Sequence, residues 1–367
     1  MESVKKHINN IRILLIVTFI FAIMLIASNI NASSYSIDDY RIDAKIMENG
    51  NMHVEEYLKY HFNESMNGVF RDILYKYTFN GQSDDLKATS ARYQAGEISN
   101  LKVYTSDQSF NALEESTLGE ETSVSNGMDG IYTITENLDD GYRKNIKVYS
   151  PVSSGKNKYI KYEYDIEDVA VKYNDAGEIY WNFLGADWEC KIDNLEINVT
   201  FENQTTSPEN IKVYPHSYTK NITSKVDNNN IYINATDISS NMAVDVRIVF
   251  PDEVLTFAKK TINEDYDYTS LKEIEDTMTQ GRNRYFLSKN LSVIIFIAGI
   301  VGLIVIIVEA NKIVSKGKKK GKKLEIYTDI LDKYSLGEYS CILNMYGGYS
   351  NSNLLLAIVL DLSDRKY

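Results

Sequence analysis

The chain has only two cysteines in 367 residues, Cys190 and Cys341, with the apolar run Leu291–Val308 between them. If that run spans a bilayer, the two thiols lie on opposite sides and cannot pair within one chain. The part before the run is therefore not a disulfide scaffold and is held by its own core, for which roughly 220 residues suffice. Histidine is also sparse: His7, His53, His61 and His216. His53 and His61 fall on one strand pattern about 26 Å apart when extended, too far to share an ion, so no metal site is expected. No G-x-S-x-G nucleophile motif occurs, and Gly317 and Gly321 lack phosphate-loop spacing. No internal repeat is evident. No cofactor and no catalytic residue is assigned.

The run Leu291–Val308 contains no charged residue and a single polar one, Ser292. At about 1.5 Å per residue it spans roughly 27 Å, close to the hydrocarbon thickness of a bilayer. Lys312, Lys316, Lys318, Lys319, Lys320, Lys322 and Lys323 follow it, the pattern of a cytoplasmic stop-transfer anchor with affinity for anionic headgroups. Residues 33–288 carry 43 acidic against 25 basic side chains, a net of −18, and residues 309–367 carry 7 against 10, a net of +3. The acidic part is a poor partner for nucleic acid or anionic lipid. At the N-terminus, Lys5, Lys6 and Arg12 lead into the apolar stretch Ile13–Ala27 and then Ala32. Residues 1–32 thus read as a signal peptide cleaved after Ala32, or as an uncleaved signal anchor. Both readings put residues 33–288 outside the cell membrane and residues 310–367 in the cytoplasm.

Ile42, Ala44 and Ile46 alternate with polar residues, Asn49-Gly50 supplies a turn, and Met52, Val54, Leu58, Tyr60 and Phe62 continue the period of two. That pattern predicts a β-hairpin with one buried face. Alternating runs recur at 131–136, 145–149, 159–166, 195–201, 211–214, 231–235 and 243–250, separated by Asn, Gly, Asp and Ser clusters. Residues 81–128 are polar and poorly patterned, with one or two strands expected. Many short strands predict a mainly β fold, an antiparallel β-sandwich-like domain over residues 33–252. After Pro251 the pattern changes. A short helix near 253–260 and another near 269–284 are expected as a juxtamembrane stalk over 253–288, then a membrane helix over 289–309 and the lysine-rich stretch 310–323. Residues 324–367 read as a small cytoplasmic helical module, winged-helix-like, with Asn353 or Ser352 capping a last helix at Leu354–Asp364.

Three blocks stand in order: Gly50, Val54, Glu56, Tyr60 and Phe62; Gly68-Val69-Phe70-Arg71-Asp72-Ile73; and Tyr180-Trp181-Asn182-Phe183-Leu184-Gly185-Ala186-Asp187-Trp188. With the segment Leu354–Tyr367, they resemble the bacterial predicted membrane-protein family called domain of unknown function 2207, over most of residues 35–367. The resemblance implies an extracytoplasmic β-domain, a membrane helix and a cytoplasmic helical module, and it implies no activity. Family members continue into further membrane helices and a Gly-rich tail, so the 324–367 segment reads as truncated. A proline commonly follows the Arg-Asp-Ile block in the family; Leu74 stands here, and the turn at that point is expected to differ.

Glu56 departs from the alternation, because its even-numbered neighbours on the strand are apolar. A buried lone carboxylate costs several kcal/mol, so a structural ion pair of Glu56 with Arg71 is expected; a catalytic carboxylate or a ligand clamp is the alternative. Trp181, Asp187 and Trp188 form an aromatic block suited either to core anchoring or to a sugar-binding surface. Function is expected to be that of a non-enzymatic, membrane-anchored surface protein whose β-domain binds an envelope protein or a glycan. A carboxylate-dependent glycan-processing enzyme is the alternative, and a homo-oligomeric assembly protein is the third reading.

Overall fold

The computed structural model describes residues 33–77, 94–115, 117–125, 127–137, 141–203, 207–228 and 230–320. The expected signal segment 1–32, the helices of 324–367, Cys341 and the lysines at 322 and 323 lie outside them. Among the described residues stand fifteen strands and one long helix: β1 (Tyr35–Ile46), β2 (Met52–Phe62), β3 (Met66–Tyr77), β4 (Ile98–Ser106), β5 (Gly119–Glu120), β6 (Ile131–Asn137), β7 (Gly141–Val152), β8 (Asn157–Ile166), β9 (Val171–Lys172), β10 (Gly177–Leu184), β11 (Ile192–Phe201), β12 (Lys212–His216), β13 (Asn221–Asp227), β14 (Asn230–Ile238), β15 (Val244–Phe250) and α1 (Tyr268–Lys320). The fold is mainly β. Three sheets form, in the orders β13-β14-β11-β1-β2-β8-β4, β12-β15-β10-β9 and β3-β7-β6-β5.

Period-two burial drives the architecture. Along β2, Met52, Val54, Glu56, Leu58, Tyr60 and Phe62 are all buried and the residues between them are half-buried. Each large apolar side chain so placed contributes on the order of 1.5–3 kcal/mol. The β1–β2 hairpin registers Ile46 opposite Met52 and Ile42 opposite Glu56. Its turn needs Gly50, whose φ is +86°, a conformation that costs glycine little. Inward residues from all three sheets, among them Ile42, Leu58, Val69, Ile146, Ile179, Trp181 and Ile248, share one hydrophobic core.

Two pairings depart from the antiparallel expectation. β1 runs parallel to β11 from Ile37 opposite Ile192 to Ile46 opposite Phe201, and the short β5 runs parallel to β6. Strands β3, β9, β10 and β13 also stand where no alternating run was read, while β4 and β5 fall in 81–128, where one or two strands were expected. β3 carries Arg71 at an inward position, which hides its alternation from a pattern that counts apolar residues only.

The expected helix near 253–260 does not form. Only a single 3₁₀ turn, Asp252–Val254, follows Pro251, and the rest is an irregular strap. Val254 and Leu255 are buried. Lys172 Nζ donates to the carbonyls of Asp252 and Leu255, and Lys260 Nζ donates to those of Gln94 and Asp168. The Lys172 bonds satisfy strap carbonyls that a helix would have satisfied internally, and the Lys260 bonds tie the strap to the loops at Gln94 and Asp168.

The second expected helix and the membrane helix are one element, α1, of 53 residues. Asp267 caps it: Oδ1 accepts from the backbone N–H groups of Thr269 and Ser270 at 3.0 and 3.1 Å. Residues Ala32–Lys289 form one compact unit. Within it, Leu271 of α1 is buried with Ala176 and Val249 on the second face of the β12-β15-β10-β9 sheet. Beyond Lys289, α1 contains an 18-residue window of mean hydropathy 3.3, none of it buried. Among the described residues it is the one helix long and apolar enough to cross a membrane.

Candidate functional site

Alternation on β2 turns Glu56 inward, and alternation on β3 does the same for Arg71, so the two meet in the core. Arg71 Nε donates to Glu56 Oε2 at 2.7 Å and its Nη2 donates to Oε1 at 2.7 Å. Tyr40 OH donates to Oε2 at 2.7 Å and Tyr164 OH to Oε1 at 2.5 Å. Both carboxylate oxygens thus accept two bonds each, the fork-to-fork geometry that suits guanidinium best. Burial pushes the Glu56 carboxyl up, but the Arg71 charge and the bonds from Arg71, Tyr164 and Tyr40 outweigh it and hold the carboxyl below its ordinary range. Arg71 also lies 5.7 Å beneath the ring of Trp188, which packs edge-on against Tyr40 at 5.8 Å.

Inward Arg71 leaves Phe70 and Asp72 on the outer face of the β3-β7-β6-β5 sheet. There they line a cleft of about 340 Å³ with Asn145, Tyr35, Asp187 and Trp188. Phe70 is 51% exposed. Asn145 Nδ2 donates to Asp72 Oδ1 at 2.7 Å, and Arg143 Nη1 donates to Asp187 Oδ2 at 2.5 Å. The cleft therefore combines aromatic surface with two oriented carboxylates and an amide. Trp188 is its wall and is itself buried, whereas Trp181, on the inner face of β10, belongs to the core and does not reach it. All three sequence blocks converge here: Glu56, then Phe70 to Asp72, then Asp187-Trp188. Tyr35 and Asn145 went unnoticed in the sequence; Phe70 and Asp72 were legible from alternation once Arg71 was set inward.

A second buried cluster escaped the sequence reading. On the face of the β12-β15-β10-β9 sheet that meets α1, Arg247 donates from Nε to Glu275 Oε1 at 2.9 Å and from Nη1 to Glu178 Oε1. Its guanidinium stacks on Tyr180 at 4.7 Å, and Tyr173 OH donates to Glu178 Oε2 at 3.1 Å. His216 Nε2 lies 3.1 Å from Glu275 Oε2, but off the line of a hydrogen bond. The clue was a charge within the apolar run of β15, since Val246 and Ile248 face the core and send Arg247 to the other face. That face reads as solvent until α1 is known to cover it.

Among the described residues no group of three or more His, Cys, Asp or Glu side chains is placed to hold a metal ion. Cys190 is buried, and burial with Glu189 nearby pushes its thiol up to about 12, which leaves it unreactive.

Residues 36–250 match the family model described as predicted membrane protein, domain of unknown function 2207, N-terminal domain. The chain belongs to this family. Membership in domain of unknown function 2207, together with the apolar stretch of α1, makes it a predicted membrane protein with one candidate spanning helix among the described residues. No curated protein matches the chain. Among solved structures, it is similar to an M1 zinc metallopeptidase from Deinococcus radiodurans at 8% identity and TM-score 0.29, over 58% of this chain and 42% of that one. It is also similar to a provisionally assigned nutrient-binding protein from Legionella pneumophila at 8% identity and TM-score 0.33, over 59% of this chain and 67% of that one. The chain thus spans less than half the length of the peptidase. These likenesses carry no functional conclusion.

Proposed function

We propose that this family member is a membrane-anchored surface protein whose β-sandwich-like domain, residues 33–252, stands on the extracytoplasmic side and binds a hydroxyl-rich ligand such as an envelope glycan. The observation that carries this reading is the Phe70, Asp72, Asp187 and Trp188 cleft. Aromatic faces take the apolar faces of sugar rings, and carboxylate and amide groups held by Arg143 and Asn145 are set to accept and donate to hydroxyls. The Glu56–Arg71 pair behind Trp188 acts as a rigid support, its charge already neutralised. Residues 310–367 are the cytoplasmic portion in this reading and couple to an inner partner.

The test uses the full chain in lipid nanodiscs on a glycan array. Saturable binding of at least one glycan, lost in Phe70→Ala and Asp187→Asn with unchanged melting, supports the reading. Turnover of the bound glycan would replace it with the enzyme reading, and capture of other copies of the chain alone would replace it with assembly. Protease added to intact cells should cut within 33–288; full protection would overturn the orientation.

A further inference from the structure

We infer that the cleft between β12, β13 and the first turns of α1 is a second binding site, for a small organic amine with an aromatic or apolar body, with Asp245 as its anchor. The cleft is the larger one, about 660 Å³, within the usual range for small-molecule sites. Its walls mix apolar and polar side chains, with Tyr180, Tyr218 and Met242 on the β side, Met278 on the helix, and His216 and Glu275 beside Asp245.

Asp245 is what distinguishes this cavity. The buried carboxylates named above each rest on a guanidinium, Glu56 on Arg71, and Glu178 and Glu275 on Arg247, whereas Asp245 is half-buried at the cavity wall. Asp245 has no lysine or arginine within ion-pair distance among the described residues. Its partner is an amide: Asn182 Nδ2 donates to Oδ1 at 2.7 Å. Its cross-strand neighbour on β12 is His216, whose ring is turned to Glu275. Burial pushes the Asp245 carboxyl up, with Asn182 and His216 opposing. A half-buried carboxylate short of a cation, beside a cavity with tyrosine walls, is an arrangement that gains from a bound ammonium, through ion pairing with the carboxylate and cation–π contact with the rings.

The same wall limits the ligand. Arg282 of α1 lines the cavity without an acidic partner among the described residues. A second positive charge on the ligand would meet Arg282, so polyamines are disfavoured and a single amine, or an amino acid whose carboxylate faces Arg282, is accommodated. This inference does not rest on the glycan cleft: the two share no lining residue, although the loop after β10 borders both, with Ala186 here and Asp187 there.

The experiment is calorimetric titration of the full chain in nanodiscs with tyramine, with tyrosine, and with 4-ethylphenol, which keeps the ring and lacks the amine. Tyramine or tyrosine is expected to bind with one-to-one stoichiometry. 4-Ethylphenol should bind at least about tenfold more weakly, the factor set by one charge-assisted hydrogen bond. Asp245→Asn, in which the new amide oxygen still accepts from Asn182 and folding is preserved, should weaken amine binding by a similar factor. Ser224→Trp, which fills the cleft from the exposed face of β13, should abolish it. Equal binding of amine and phenol, amine binding untouched by Asp245→Asn at an unchanged melting temperature, or no saturable binding of either amine would overturn the proposal.

Discussion

Replacing Glu56 by Gln exchanges one oxygen for an NH₂ group at a site where Glu56 is 1% and Arg71 5% exposed. Two consequences follow from the geometry. The guanidinium loses its counter-charge while remaining buried. The new NH₂ group also faces donors, since each carboxylate oxygen accepts one bond from Arg71 and one from a tyrosine. A tyrosine hydroxyl can rotate away, but the guanidinium cannot. Removing one partner of such a pair typically costs about 3–5 kcal/mol, a large share of the stability of an ordinary domain. The double substitution Glu56→Leu with Arg71→Met removes both charges and should be less destabilising than Glu56→Gln alone. Urea unfolding of the full chain in nanodiscs, followed by the fluorescence of buried Trp181 and Trp188, measures both. The pH dependence supplies a second readout. Because the folded carboxyl is held below its ordinary value, its contribution is complete above about pH 4.3 and disappears as pH falls through the folded value. Glu56→Gln should lack that acid limb. A Glu56→Gln midpoint within about 0.5 kcal/mol of the parent would refute the claim that the pair is desolvated.

Two further outcomes are expected from the same unfolding assay. Gly68→Ala should cost about 1–3 kcal/mol or more, because a Cβ there would stand 1.8 Å from the Val148 carbonyl oxygen; the midpoint of the variant checks this. Burial holds Lys260 down to about 8, while an unfolded lysine titrates near 10.4. The folded state therefore loses this proton first, and stability should rise between those two pH values. Lys260→Met should show a shallower rise than the parent across that window, and equal slopes would disprove the assignment.

The β1–β2 hairpin was legible in the sequence because one face is continuous apolar surface and Asn49-Gly50 marks its turn. Glu56 stood out for the same reason: a carboxylate on that face requires a cation. The parallel β1–β11 pairing was not legible, because its partners are about 150 residues apart in sequence and alternation fixes a strand's face without naming its neighbour. The segment near 253–260 reads as helix in the sequence because charged residues between apolar ones mimic a 3.6 period, while in the fold the Lys172 amine satisfies its carbonyls from a distance.

The cleft of Phe70, Asp72 and Asp187 lies between these cases. Its residues sit within recognisable blocks, yet their meeting depends on how β3, β7 and the loop after β10 close over Trp188. By itself the sequence determined the mainly β composition, the apolar stretch of α1 and the need for a partner at Glu56, because each follows from local periodicity or from the cost of burying one charge. Only the tertiary structure decided that Arg247 is covered by α1 and that Asp245 borders a cavity with no lysine or arginine in ion-pair reach among the described residues, because a residue's outward face becomes interior only when another element is laid upon it.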